Sequence, residues 1–261
     1  MNSVKKAEVQ VIKVGGKIVE DPTALMHLLD QFKKVPGYKV LVHGGGRSAT
    51  KIAAQMGVET KMVDGRRVTD ESMLQVVTMV YGGLVNKSIV SKLQSVGVNA
   101  IGITGADMNL VQAHKRPVQE VDYGFVGDID KVDVTVLSPL LLQGVVPVIA
   151  PLTHDGHGSM LNTNADTIAA EVAKALAADY QVQLVYCFEL SGVMRDPEDA
   201  ATVIPIINKE SFEQLVTDEI VVGGMIPKIQ NALQAVEAGV DKVRITKAGD
   251  LADPQKGTYV V

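Results

Sequence analysis

Several short stretches of this sequence join glycine to lysine, arginine or amide side chains in ways that suit an anionic ligand. In Lys13-Val14-Gly15-Gly16 a lysine closes an apolar run and paired glycines follow. An ammonium group among Val and Ile is costly unless it meets an anion. Glycines let backbone N–H groups approach phosphate oxygens closely. A lysine that simply reaches solvent from a strand end explains the same residues. The Gly-Lys-Ser/Thr ending of a Walker A loop is absent. In His43-Gly44-Gly45-Gly46, glycines precede an expected helix, whose free N–H donors and dipole favour an anion. A ligand-free tight turn is the plain alternative. A rival is specific: Gly44, Gly46 and Ala49 fit G-x-G-x-x-A, with Asp64 spaced as the ribose acceptor of a dinucleotide site. His43 itself reads as a hydrogen-bonded structural residue.

Gly65-Arg66-Arg67-Val68-Thr69-Asp70 offers a guanidinium, a planar fork suited to a carboxylate, or else a solvated basic loop. Asn162-Thr163-Asn164-Ala165-Asp166 holds two amides and a carboxylate at a helix start. Capping needs one of them, so the surplus points to a polar site. Gly223-Gly224-Met225-Ile226-Pro227-Lys228 opens another helix with a lysine in its first turns, against the helix dipole. A docked anion would remove that conflict.

These residues need a frame. With 261 residues, 46% of them hydrophobic and 21% charged, the chain suits a large globular core. A net charge of −5 and 4% aromatics with no Trp argue against nucleic acid or anionic membrane as the main partner. Cys187 is the lone cysteine, in an apolar run, and reads as a buried small hydrophobe. The start, Met1 to Glu8, is polar without an apolar signal region, and no unbroken apolar stretch of span length is apparent. A cytoplasmic setting is expected.

Strands are expected at 8–14, 38–43, 98–103, 145–150, 181–186, 240–246 and 258–261. Helices are expected from about 21 after Pro22, at 48–56, 70–95, 131–143, 164–178, 209–217 and 225–238. The polar stretch 112–130 reads as a hairpin or lid beside the site. The alternation predicts an α/β fold with a mainly parallel sheet and ligands at its carboxyl edge. Two lobes, 1–150 and 151–261, are expected to share one continuous sheet.

Taken in order, the KVGG, HGGG, GRRVT, NTNAD and GGMIPK motifs resemble those of the acetylglutamate kinases in the amino-acid kinase family, across nearly the whole chain. The resemblance implies an open αβα sandwich, with an acylated amino acid on the N-terminal lobe and ATP on the C-terminal lobe. By motif position, Gly45, Gly46, Arg67 and Asn162 would bind the substrate. Lys13 and Lys228 would flank the transferred phosphoryl group, and Asp166 would hold both lysines. Gly15, Gly16, Glu189, Ser191, Gly192, Gly223, Gly224 and Met225 would border the nucleotide. Mg2+ would ride on the phosphates, with no protein metal site. The implied acceptor is the side-chain carboxylate of N-acetyl-L-glutamate.

The sequence departs from the family pattern in places. Glu189 stands where Asp is usual. Arg66 stands where Leu is common, which admits N-succinyl-L-glutamate as a substrate. The short run before the first strand lacks the extra helix of arginine-inhibited members, so an arginine-insensitive homodimer is expected. The other readings are a different activity of the same family, a non-catalytic nucleotide-binding regulator, or a nicotinamide dehydrogenase.

Overall fold

The computed structural model describes residues 6–63, 65–196, 198–223 and 225–261, with the backbone alone at 227. Asp64 and Gly224, both named above, lie outside the described residues.

An eight-stranded sheet runs in the order Ile206–Ile207, Thr258–Val260, Lys242–Lys247, Gln181–Phe188, Glu8–Val14, Tyr38–His43, Val146–Ile149, Ala100–Ile103. From Lys242–Lys247 to Ala100–Ile103 every neighbouring pair is parallel, while Thr258–Val260 runs antiparallel to Lys242–Lys247. Parallel strands are buried on both faces and so read as continuous apolar runs. The first strand, EVQVIKV, is of this kind.

The period-2 alternation of a strand decides what its carboxyl end presents. Val9 and Val11 belong to one face, with Val182, Leu184 and Tyr186, and the helices Ala165–Leu176 and Met225–Glu237 cover it. Ile12 and Val14 belong to the other, with Leu41, Val185 and Cys187, under Pro22–Lys34 and the long helical run Glu71–Ser95. The same alternation turns Lys13 and Phe188 to the first face and His43 to the second.

Local chemistry accounts for most helix starts. Asp21 accepts hydrogen bonds from Thr23 N and Ala24 N ahead of Pro22, and Leu25, Leu28, Leu29 and Phe32 are buried on one face as expected. Asp70 accepts from Met73 N to start the long run. That run is α-helical over Glu71–Val77, π-helical over Thr78–Val85 and α-helical again over Asn86–Ser95. By length and hydropathy it could cross a bilayer, although Gly82 and Gly83 interrupt its apolar run. Here Met73, Val76, Val77, Ile89 and Leu93 are buried in the protein core.

The helix expected at 131–143 is mostly something else. Gly127–Val132 is a strand, Val134–Val136 a 3-10 turn capped by Asp133, and only Leu137–Leu142 is α-helical. Ile129, Val132, Val134 and Val136 are β-branched, which favours extended backbone over helix. The expected hairpin exists, Val111–Lys115 against Gly127–Val132, but it forms half of a four-stranded sheet with Leu152–His154 and Met160–Asn162. Those last two strands were not expected. A turn held by Asp155, which accepts from His157 N and Ser159 N, joins them.

Candidate active site

Two glycine turns meet at the carboxyl edge of the sheet. Gly15 N donates to Cys187 O and Gly44 N donates to Val14 O, continuing the strand ladders by one residue. Gly16 opens the short helix Gly16–Glu20, and Gly46 opens Gly46–Gln55. The first N–H groups of a helix have no partner within it. The turns touch: a Cβ on Gly44 would lie 3.1 Å from Gly16 N, and one on Gly16 would lie 3.8 Å from Gly45 N. No side chain separates the two sets of donors.

On the first face, Lys13 Nζ pairs with Asp166 Oδ1 at 2.7 Å. Asp166 lies in the first turn of Ala165–Leu176, and Asn164 caps that helix by accepting from Asp166 N and Thr167 N. One amide therefore serves the cap, leaving the carboxylate for the lysine. Lys13 Nζ also lies 5.1 Å from the centroid of the Phe188 ring, and Lys228 Nζ lies 4.0 Å from the same centroid. The two distances together limit the separation of the nitrogens to about 9 Å. Among the described residues Asp166 forms no ion pair with Lys228, so the expectation that it holds both lysines is corrected. Phe188 is what the two share.

Beside this lies a cavity of about 180 Å³, lined in part by Gly45, Gly46, Arg66, Arg67, Tyr81 and Asn162. Arg67 is buried. Its Nη2 donates to Gly46 O at 2.7 Å and Thr50 Oγ1 at 2.8 Å, and Nη1 donates to Thr60 Oγ1 at 3.2 Å. These acceptors are neutral, and among the described residues no carboxylate pairs with Arg67. A buried guanidinium without a counter-ion is poised for an anionic ligand. Asn162 Nδ2 donates to Thr69 Oγ1, which donates to Arg67 O, so the NTNAD stretch and the arginine loop are tied together.

At the mouth, Arg66 feels Arg116 and Asp128. Burial lowers its pKa first and the like charge of Arg116 lowers it further, while Asp128 opposes both. Arg116 forms a forked ion pair with Asp128, and that hydrogen-bonded guanidinium holds the Asp128 carboxyl below the usual range. Burial pushes Cys187 up to about 12, so this thiol stays protonated, an inert core group as expected.

The expected nucleotide-side residues are less concentrated. Glu189 follows Phe188 and is exposed, with Lys17 Nζ 3.6 Å from its Oε1. Gly192 packs where a Cβ would lie 2.7 Å from Thr258 Oγ1, and Val193 N donates to that oxygen. Ser191 is half-buried between them. Gly223 is exposed with φ 55°, and Met225 begins the helix that carries Lys228. Sequence reasoning overlooked Phe188, Tyr81 and Lys17. An aromatic closing a buried strand in a chain with only four Phe residues was a usable signal for the first. Nothing local marks Tyr81, which reaches the cavity through the π-helical segment.

Cationic groups and free N–H donors converging from separate elements suit the passage of a phosphoryl group between two anions. The protein is a phosphotransferase. Comparison with known proteins gives the family. Residues 8–247 match the amino acid kinase family, and the chain belongs to it. It is 61% identical over 255 residues to the acetylglutamate kinase of Bacteroides thetaiotaomicron, covering 98% of this chain and 99% of that protein. Among solved structures, smu.665 of Streptococcus mutans superposes with a TM-score of 0.77 at 29% identity, covering 97% of this chain and 98% of that one. The carbamate kinase of Giardia lamblia bound to AMP-PNP shares the fold at a TM-score of 0.72 and 14% identity, covering 98% of both chains.

Proposed function

We propose that the protein transfers the γ-phosphoryl group of ATP to the side-chain carboxylate of N-acetyl-L-glutamate, giving an acyl phosphate and ADP on the route to arginine. The observation that carries this reading is the pair Lys13 and Lys228 at one aromatic ring, beside a cavity whose buried Arg67 has only neutral partners among the described residues. The relatives named above give the acyl amino acid its identity.

The chemistry follows from charge. A carboxylate is already ionised at neutral pH and needs no general base. The barrier lies in bringing that anion to a polyanionic donor, so positioning and positive charge do the work. Arg67 fixes the α-carboxylate, Asn162 the acylamino end, and the N–H groups of Gly45 and Gly46 the reacting end. Lys13, oriented by Asp166, and Lys228 neutralise charge on the phosphoryl oxygens as it moves. Gly15, Gly16, Glu189, Ser191, Gly192, Gly223 and Met225 border the nucleotide. Mg2+ carried on the phosphates would shield their charge. In this reading 1–150 forms the acyl amino acid lobe and 151–261 the ATP lobe of a cytoplasmic homodimer.

An ADP-release assay with acetylglutamate, succinylglutamate, free glutamate and aspartate tests the proposal. Preferred turnover of acetylglutamate is expected. ADP release with none of them would overturn the reading, and a preference for another acceptor would replace the substrate.

A further inference from the structure

His43 lies on the second face of the sheet, wholly buried, and touches no substrate cavity. Its Nδ1 is 2.8 Å from Gly44 O and its Nε2 is 3.1 Å from Asn86 Nδ2. The proton positions follow from the partners. Gly44 O can only accept, so Nδ1 carries the hydrogen. Asn86 Nδ2 also lies 2.9 Å from Val148 O, again only an acceptor, so that atom is the amide nitrogen and its second hydrogen points at Nε2. The imidazole is thus a neutral Nδ1–H tautomer, and burial pushes its pKa down to about 4.

The arrangement is expensive as packing alone. Asn86 is buried, and its Oδ1 has no hydrogen-bond partner. That oxygen rests on Gly102, where a Cβ would lie only 1.8 Å away. Leaving a buried acceptor unpaired is destabilising. Asn86 also follows directly on the π-helical segment, and such segments are frequent at functional sites. The same segment carries Tyr81, whose ring would lie 2.9 Å from a Cβ on Gly45. The glycine turn is therefore pinned by an amide–imidazole relay at Gly44 and an aromatic wall at Gly45.

We propose that His43 and Asn86 are positioning residues: through the Gly44 carbonyl they fix the Gly44–Gly45 peptide plane, which aims the Gly45 N–H group at the acceptor substrate. This rests on the function proposed above and adds to it two residues that never touch the substrate. The direction of the Gly44 carbonyl sets the orientation of the Gly44–Gly45 peptide, because the peptide unit is planar. Glycine has the widest backbone freedom, so a three-glycine turn needs an external restraint to present one donor geometry.

The variants His43→Asn and His43→Gln separate this role from core filling. The Asn amide reaches about where Nδ1 sits and restores the donor to Gly44 O. The Gln amide reaches toward Nε2 and does not. We expect His43→Gln to raise KM for N-acetylglutamate about tenfold, the scale of one lost hydrogen bond to a charged group. His43→Asn should stay within about threefold of wild type, and KM for ATP should hold in both. Equal effects of the two variants, or parallel rises in both KM values, would overturn the proposal. A second measurement needs no variant. In 15N-histidine-labelled wild type, the His43 resonance should report the Nδ1–H tautomer at neutral pH and shift on adding N-acetylglutamate. An Nε2–H tautomer, or no response to the substrate, counts against the relay. Should wild type prove inactive on N-acetylglutamate, the function proposed above fails, while the tautomer still reports on the hydrogen-bonded arrangement.

Discussion

Lys13 and Lys228, far apart in the chain, hold their ammonium nitrogens 5.1 and 4.0 Å from the centre of one ring, that of Phe188. Only Lys13 has a carboxylate, Asp166 at 2.7 Å, among the described residues. The two lysines therefore differ in how they are held, one by an ion pair and the other by the aromatic face.

Replacing either lysine should remove one donor from the transition state. Lys13→Ala and Lys228→Ala are each expected to lower kcat by roughly 10²–10³-fold. Steady-state kinetics on folded protein checks this, and unchanged turnover would exclude that lysine from the mechanism.

Phe188→Leu keeps the apolar bulk and removes the quadrupole that attracts both cations. A cation–π contact is worth about 0.5–2 kcal/mol, so kcat should fall roughly 2- to 30-fold, with Phe188→Tyr close to wild type. Equal rates for Leu and Tyr would show that the ring acts as filler.

Arg67 lacks a carboxylate partner among the described residues, so an anionic substrate should stabilise the protein by binding the folded state alone. Acetylglutamate is expected to raise Tm of wild type, and to do so much less for Arg67→Lys, which loses the planar fork. Calorimetry with and without the ligand decides it; an equal rise in both proteins would contradict the assignment.

The space around Gly45 demands glycine there. A methyl there would meet the Tyr81 ring at 2.9 Å. Gly45→Ala should cost about 1–3 kcal/mol in urea unfolding, and adding Tyr81→Ala should recover part of it. Additive losses in the double mutant would rule out the clash.

His43 gives a pH dependence with a definite sign. Its folded pKa, about 4, lies below the ordinary 6.5. Between those values the unfolded chain binds the extra proton, so stability falls as pH drops through that window. The loss approaches about 3 kcal/mol at the acid end. Urea unfolding at several pH values should show a shallower slope for His43→Asn than for wild type, and identical slopes would refute the buried neutral imidazole.

Much of this was readable in the chain. The KVGG and HGGG turns, the Asp21 and Asn164 caps, and the apolar face Leu25, Leu28, Leu29, Phe32 all rest on neighbours within a few residues, where local chemistry decides the outcome. The strands at Leu152–His154 and Met160–Asn162 pair with each other, yet they were missed because each is only three residues long and short strands have little propensity of their own.

Residue types and spacing alone determined which groups could meet an anion: two lysines, an arginine, glycine turns and the NTNAD amides. Which of them meet one another was settled only by strand alternation and helix packing. These sent Lys13 and Phe188 to the face of Asp166 and Lys228, and His43 to the face of Asn86. The reason is physical. A side chain's type is carried by its own residue, but its partner is chosen by burial on a sheet face, a property that exists only once distant segments have packed.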